Sequence, residues 1–270
     1  MNKIFIKTEK KVLSLERQEE ILEILNKNKS ATVDFLANSL FVSGATIRRD
    51  LKQMEQRGMI IRSHGGAMPF KSSSIETSFV VREQKDAQAK RKIASLAVRL
   101  IKNGDSIFVD SSSTTSYVME LLKDFTNITV TTTGIRNATI LSSADKVKVY
   151  IAGGLVSNHS NSITGTDTMD YISQLHADIS ILSCTGVSIE TGVNDASIEQ
   201  SKLKQRMRKN SNKVAILADS TKFGKTFMCH DFWFDEIDYL ITEKTPPKEF
   251  LDVLSKTKCK LITPKNDELL

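Results

Sequence analysis

Over the first seventy residues, apolar positions recur at helical spacing in three short segments separated by polar breaks. Residues 17–26 carry Ile21, Leu22, Ile24 and Leu25, and Asn28-Lys29-Ser30 interrupts them. Thr32 is placed to cap a second helix with Phe35, Leu36, Ala37 and Leu40 as its core face. A three-residue turn, Phe41 to Ser43, leads into a third helix. Ser43 can cap it by accepting from the N–H of Ala45 or Thr46, and Ile47, Leu51 and Met54 follow at i, i+4, i+7. Gly58 reads as the helix stop, and Met59 to Ala67, ending in a glycine pair, reads as a hairpin. Helix, loop, helix, tight turn, helix, hairpin is the layout of a winged helix-turn-helix.

The third helix carries the first candidate chemistry. Stepping 100° per residue from Ile47 leaves Ala45, Thr46, Arg48, Arg49, Lys52 and Gln53 off the apolar stripe. A short amphipathic helix with a basic outer side is what the DNA major groove accepts. Ser43, Thr46, Arg48, Arg49 and Lys52 are therefore candidate DNA contacts. Arg49 points most directly away from the stripe and is the first choice for reading a base. Arg62 and His64, on the wing, would lie near backbone phosphates.

Beyond residue 70 the pattern changes. Residues 71–89, with a Ser72-Ser73-Ser74 run and mixed charges, read as a linker and lead-in. Helical and strand-like segments then alternate. Helices are expected over Lys90–Ile101, Thr114–Leu122, Ile135–Ser142, Thr168–Leu175, Glu199–Asn210 and Phe250–Leu254. Strands are expected over Ser106–Asp110, Ile128–Thr132, Lys146–Ala152, Ala177–Cys184, Lys213–Ala218 and Glu236–Thr242, with Lys260–Thr263 as an edge strand. This predicts an α/β C-terminal domain, residues 90–265, with a mostly parallel sheet and helices on both faces. The small winged helix-turn-helix domain is expected over 14–70.

Ligands of parallel sheets bind at the carboxyl ends of strands. Polar or glycine-rich turns fall at five such ends here: Asp110 to Thr115, Thr131 to Gly134, Gly153-Gly154, Thr185-Gly186, and Asp219 to Gly224. The first, Asp110-Ser111-Ser112-Ser113-Thr114-Thr115, offers hydroxyls and free N–H groups at a helix N-terminus, a site suited to a phosphate monoester. Thr133, Gly153 and Gly154 lie in neighbouring loops, and Lys222 could supply a point charge.

Composition narrows the classes. The 270-residue chain has net charge +6. Residues 1–70 hold 12 Lys and Arg against 8 Asp and Glu, so most of the excess sits in a quarter of the chain. Cys184, Cys229 and Cys259 are widely spaced with no CxxC pair, so neither a disulfide framework nor a metal site is expected. There is no 18-residue apolar run and no signal-peptide core, which points to a cytoplasmic protein with no membrane partner; the first dozen residues are expected to form a loose arm. GxGxxG, GxxxxGK[ST] and GxSxG are all absent, and no cofactor is expected.

On these residues the chain resembles the DeoR family of bacterial sugar-operon regulators. The likeness rests on Arg17, Val42-Ser43, Thr46-Ile47-Arg48-Arg49-Asp50-Leu51, Gly58, Arg62 and His64-Gly65-Gly66-Ala67. In the second part it rests on Asp110 with Ser111 to Thr115, Thr133-Gly134, Gly153-Gly154, Gly165, Gly186, Gly192 and Asp219 with Lys222-Phe223-Gly224. The resemblance implies a ribose-5-phosphate isomerase-like sensor domain that binds a phosphorylated sugar and changes operator affinity. It departs from the family's Asp-x-Gly-Thr-Thr, having serines where a glycine is usual. Cys184-Thr185 supplies no carboxylate where enzymes of this fold keep acidic residues, so no catalytic residue is expected. The alternative is a sugar-phosphate isomerase or hydrolase with an accessory DNA-binding domain. The expected function is a repressor of a carbohydrate-metabolism operon. Its expected partners are double-stranded operator DNA, the sugar phosphate and further copies of itself, as a homodimer or homotetramer on repeated half-sites.

Overall fold

The computed structural model forms two compact units, residues 1–81 and 82–270. It describes residues 14, 16–25, 27–56, 59–63, 65–69 and 76–265. The expected N-terminal arm, Asn26, the Gly58 stop, His64 and the Ser72–Ser74 run lie outside the described residues.

In the first unit, helical residues 16–25 (α1) are followed by β1 (Ala31–Thr32), α2 (Val33–Ser39), α3 (Gly44–Gln56), β2 (Ile60–Ser63) and β3 (Gly66–Pro69). Thr32 caps α2 through its hydroxyl, which accepts from the N–H of Phe35 at 3.1 Å. The apolar face of α2 differs from expectation. Val33 and Leu36 are buried, whereas Phe35 is 49% exposed. The cap makes Val33 the first helical residue, so the inward stripe runs Val33, Leu36, Ala37, Leu40 and Phe35 falls off it. Phe41 takes a left-handed φ of 53° in the turn, and the N–H of Val42 reaches back to the carbonyl of Ala37 at 3.1 Å. Ile21, Leu25, Val33, Leu36, Ile47, Leu51 and Met54 join Met59, Ile60 and Ala67 in one core.

The wing is an antiparallel hairpin with Arg62 opposite Ala67 and Ser63 opposite Gly66. β3 also pairs with β1, a strand too short to register as a sequence pattern, giving the order β1-β3-β2. A Cβ on Gly66 would lie 2.3 Å from the carbonyl oxygen of Ala31, so only glycine allows that pairing.

α4 (Phe79–Gln84) and the start of α5 (Ala87–Ala97) occupy the later part of the segment read as linker. Phe79 and Val81 are buried, so this stretch folds on its apolar side chains despite its mixed charges. The second unit continues with β4 (Ser106–Val109), α6 (Ser113–Leu122), β5 (Ile128–Thr132), α7 (Ile135–Leu141) and β6 (Val147–Ile151). Next come β7 (Leu155–Ser157), β8 (Ser162–Thr164), α8 (Thr166–Ser173), β9 (Ala177–Ser183), β10 (Gly186–Ser188) and β11 (Gly192–Asp195). Last are α9 (Ile198–Lys209), β12 (Ser211–Leu217), β13 (Cys229–Phe232), β14 (Tyr239–Ile241), α10 (Lys248–Leu254) and β15 (Lys260–Ile262).

Seven strands form one sheet in the order β15-β14-β12-β9-β4-β5-β6, and every pair in it is parallel. Strand residues alternate between two cores. Ile107, Val109, Ile179, Ile181, Ala215 and Leu217 pack with α5, α6 and α7. Phe108, Leu182, Val214, Ile216 and Leu240 pack with α8, α9 and α10. Successive strand side chains point to opposite faces, so this split places helices on both faces of the sheet. The β7–β8 hairpin and the β10-β11-β13 sheet were not expected.

Candidate nucleic-acid interface and effector site

Ser43 caps α3, accepting from the N–H of Thr46 at 3.1 Å and meeting the Thr46 hydroxyl at 2.9 Å. Ile47, Leu51 and Met54 are fully buried. Arg48, Arg49 and Lys52 are exposed and Thr46 is half-buried. Arg49, two residues or about 200° on from Ile47, lies on the side away from the core. A Cβ on Gly44 would sit 3.3 Å from Nη1 of Arg48, so that guanidinium folds back along the first turn. Arg62 is exposed on the wing, 3.7 Å from Glu55.

Asp50 enters the sequence analysis only as part of the family signature, and the structure gives it a role. It is 1% exposed, and Arg17 grips it with Nε at 2.6 Å and Nη2 at 3.2 Å. Ser14 donates to the same carboxylate at 3.2 Å, and Gln18 bonds Gln53 at 2.9 Å. These side chains fasten α1 to the inner side of α3 and so orient its basic outer side. A sequence signal existed: Asp50, at i+3 from Ile47, falls within the apolar stripe.

In the second unit the five polar loops follow β12, β9, β4, β5 and β6, which are consecutive in the sheet. Ser112 caps α6, accepting from the N–H of Thr115 at 3.3 Å. Among the described residues the N–H groups of Ser113 and Thr114 have no acceptor. The Thr133 hydroxyl is buried without a hydrogen-bond partner. Its loop is close by, since a Cβ on Gly134 would lie 3.0 Å from Cα of Ser111. Lys222 donates to the Ser183 hydroxyl at 2.9 Å, and the N–H of Ser183 donates to Asp110 at 2.9 Å. Lys222, the β9 end and the serine loop are therefore linked bond by bond.

Several site residues expected to meet a ligand are turned inward. The Asp110 carboxylate is 1% exposed and accepts from the N–H of Ser112 and the hydroxyl of Thr115, both at 3.0 Å, as well as from Ser183. It shapes the loop and has no oxygen left for a ligand. Ser111 donates to Gln200 at 3.0 Å. Gly153 gives its carbonyl to the Thr168 hydroxyl at 2.8 Å. Gly154 has φ 147°, and a Cβ there would lie 2.2 Å from Oγ1 of Thr168 and 2.6 Å from the carbonyl of Thr164, so its place in the sequence has a steric reason.

A buried charged group lies beneath these loops, and the sequence did not show how its members pair, because that depends on the pairing of β11 with β13. Lys204 bonds Asp195, which also receives the Thr185 hydroxyl, and lies 3.5 Å from Asp110. Burial opposes the charge on Asp195, but Lys204 outweighs it and holds that carboxyl below its usual range. Burial and then the Asp195 charge push Asp231 well above its usual range, which favours its neutral form. At Asp219 burial again opposes ionisation, and Lys222 with Thr221 outweighs it and keeps the carboxyl low.

A separate groove of about 740 Å³, lined by Arg91, Tyr117, Leu121 and Arg136 among others, lies along the helices. It includes none of the residues chosen for effector binding. Among the described residues no cluster of His, Cys, Asp or Glu could hold a metal ion, and no helix is long and apolar enough to cross a membrane.

Residues 17–73 match the DeoR-like helix-turn-helix domain, and residues 85–244 match the DeoR C terminal sensor domain. The chain belongs to the DeoR family of transcriptional regulators. It is 36% identical to the HTH-type transcriptional regulator GolR of Listeria innocua, over 84% of this chain and 90% of that protein. It is 32% identical to the HTH-type transcriptional repressor GlcR of Bacillus subtilis, over 94% and 97%. It is 28% identical to the glycerol-3-phosphate regulon repressor of Escherichia coli, over 89% and 95%. These DeoR-type relatives are regulators, not enzymes. Like them the chain pairs a DNA-binding domain with a sensor domain. Ribose 5-phosphate isomerase A of Methanocaldococcus jannaschii aligns with 52% of this chain and 55% of its own at 15% identity and a TM-score of 0.39.

Proposed function

We propose that this DeoR-family regulator represses a carbohydrate-metabolism operon and that a phosphorylated sugar sets its DNA affinity. One observation carries the effector half of the reading. Two N–H groups without acceptors, at Ser113 and Thr114, open a ten-residue helix beside the unpartnered Thr133 hydroxyl, with Lys222 tied to the same loop. Donors without acceptors at the positive end of a helix suit a phosphate dianion. Ser112 and Thr115 hold the loop, Asp110 and Ser111 anchor it from below, and Gly153 and Gly154 border it.

The DNA half rests on α3. Arg48, Arg49, Lys52 and Thr46 meet the major groove, Ser43 fixes the helix start, and Arg62 meets a phosphate from the wing, with His64 assigned to the same wing. One such helix spans only a few base pairs, so two or more copies act on repeated half-sites in the cytoplasm. An effector changes DNA affinity only by its differential affinity for two conformations, typically by about 1–3 kcal/mol.

The test is a gel shift on the DNA upstream of the protein's own gene, at stated salt, with a panel of sugar phosphates and the matching free sugars. Release or retention by a phosphorylated sugar, but not by its free form, is expected. Specific DNA binding unaffected by every ester would refute the effector assignment.

A further inference from the structure

α4 crosses the boundary between the two units. Val81, in its middle, is 4% exposed and belongs to the core that holds Ile21, Leu51 and Met54. Its carboxyl end, from Arg82 on, belongs to the second unit. A helix ends with carbonyls that its own backbone leaves unpaired. Here side chains from three successive helices take up that end. Lys90 of α5 donates to the carbonyl of Arg82 and, at 2.7 Å, to that of Lys85. Tyr117 of α6 donates to the carbonyl of Glu83 at 3.0 Å. Arg136 of α7 donates to the Glu83 carboxylate at 2.7 Å. α6 starts at the serine loop and α7 follows Thr133-Gly134, so two of these clamps sit on helices that open in the effector loops.

Lys90 differs from the other two in being 4% exposed, an ammonium inside the fold with no carboxylate bonded to it among the described residues. The charges that act on it are Lys222 and Arg82, which repel, and Asp219 and Asp86, which attract. Burial first and Lys222 second pull its pKa down to about 8. An anion received at Lys222 cancels that repulsion and strengthens the ammonium's hold on the end of α4.

We propose that Lys90 is the positioning residue that carries effector charge from the strand-end loops to α4, the helix that leads into the DNA-binding unit. This rests on the effector site proposed above. It makes Lys90 a determinant of coupling and not of effector binding, since two of its three N–H donors are spent on carbonyls at the end of α4 and the side chain is buried.

The experiment uses the full chain, inorganic phosphate as the probe, calorimetry for phosphate binding and fluorescence anisotropy for DNA. In the wild type, phosphate should change DNA affinity by a factor in the usual range of about 5–150. Lys90→Met should leave phosphate affinity within about threefold and bring the change in DNA affinity to less than about twofold. Lys222→Met should lose phosphate binding itself. If Lys90→Met does not fold, the wild-type pH profile decides. Coupling should fall between pH 7.5 and 9 as Lys90 gives up its proton near 8, and a flat profile overturns the proposal. Full coupling retained in Lys90→Met, with phosphate still bound, overturns the role of Lys90 and leaves the effector site standing. No phosphate binding by the wild type overturns both.

Discussion

Replacing Asp50 by alanine removes the acceptor that fastens α1 to α3. The carboxylate side chain is 2% exposed, and Arg17 holds it through two N–H groups, Nε at 2.6 Å and Nη2 at 3.2 Å. Breaking a fully buried pair by removing one partner costs about 3–5 kcal/mol. Arg17 is 21% exposed and can turn its guanidinium to water, so a cost of about 2–3 kcal/mol is expected. A unit of this size is stabilised by only about 5 kcal/mol, so that is a large share. Its melting transition should drop by roughly 10–20 °C. Scanning calorimetry of the full chain is the assay, because the transition of the second unit should stay in place and serve as an internal reference. Operator affinity should fall as well, since α3 loses the tether that orients Arg49. Asp50→Asn keeps the shape and one acceptor oxygen and should show an intermediate loss. A shift under about 0.5 kcal/mol in Asp50→Ala, with unchanged DNA binding, would refute the argument that this pair orients the helix.

Arg49→Ala should weaken operator binding by about 1–3 kcal/mol and relax preference at one base position; equal loss on every sequence would reassign Arg49 to a phosphate. Gly154→Ala should destabilise the second unit by about 3 kcal/mol, because the new Cβ meets the Thr164 carbonyl at 2.6 Å and the backbone there has φ 147°. A thermal shift of only a degree or two would contradict that packing. Asp195→Asn should cost about 3 kcal/mol or more by stripping Lys204 of its nearest carboxylate, whereas Asp231→Asn should cost less than about 1 kcal/mol, since burial and the Asp195 charge favour the neutral form of Asp231. The raised pKa of Asp231 means that the folded state keeps a proton the unfolded chain releases near pH 4, so this group lowers stability as pH rises above 4. Asp231→Asn should therefore gain on the wild type from pH 4 toward neutrality in urea denaturation, and equal losses in the two variants would disprove the assignment of the proton.

Local pattern carried most of the architecture. The Ser43 cap, the Ile47-Leu51-Met54 stripe and the Ile128–Thr132 strand all follow from spacing within a few residues, and they appear where spacing puts them. So do the loops that line up along consecutive strand ends, because a parallel sheet with crossover helices leaves its turns there. Tertiary structure decided which polar side chains of the strand-end loops are spent on the protein itself. Phe35 turned outward once the cap made Val33 the first inward residue. Asp50 found Arg17 across 33 residues of chain, and Asp110 found the Ser183 N–H across 73. Lys90 became a clamp because α4 ends beside it, and Asp231 favours its neutral form because β13 pairs with β11. Periodicity is a property of neighbours along the chain. The ionisation and orientation of a buried polar group depend on which distant groups share its low-dielectric surroundings, and only the folded chain determines those.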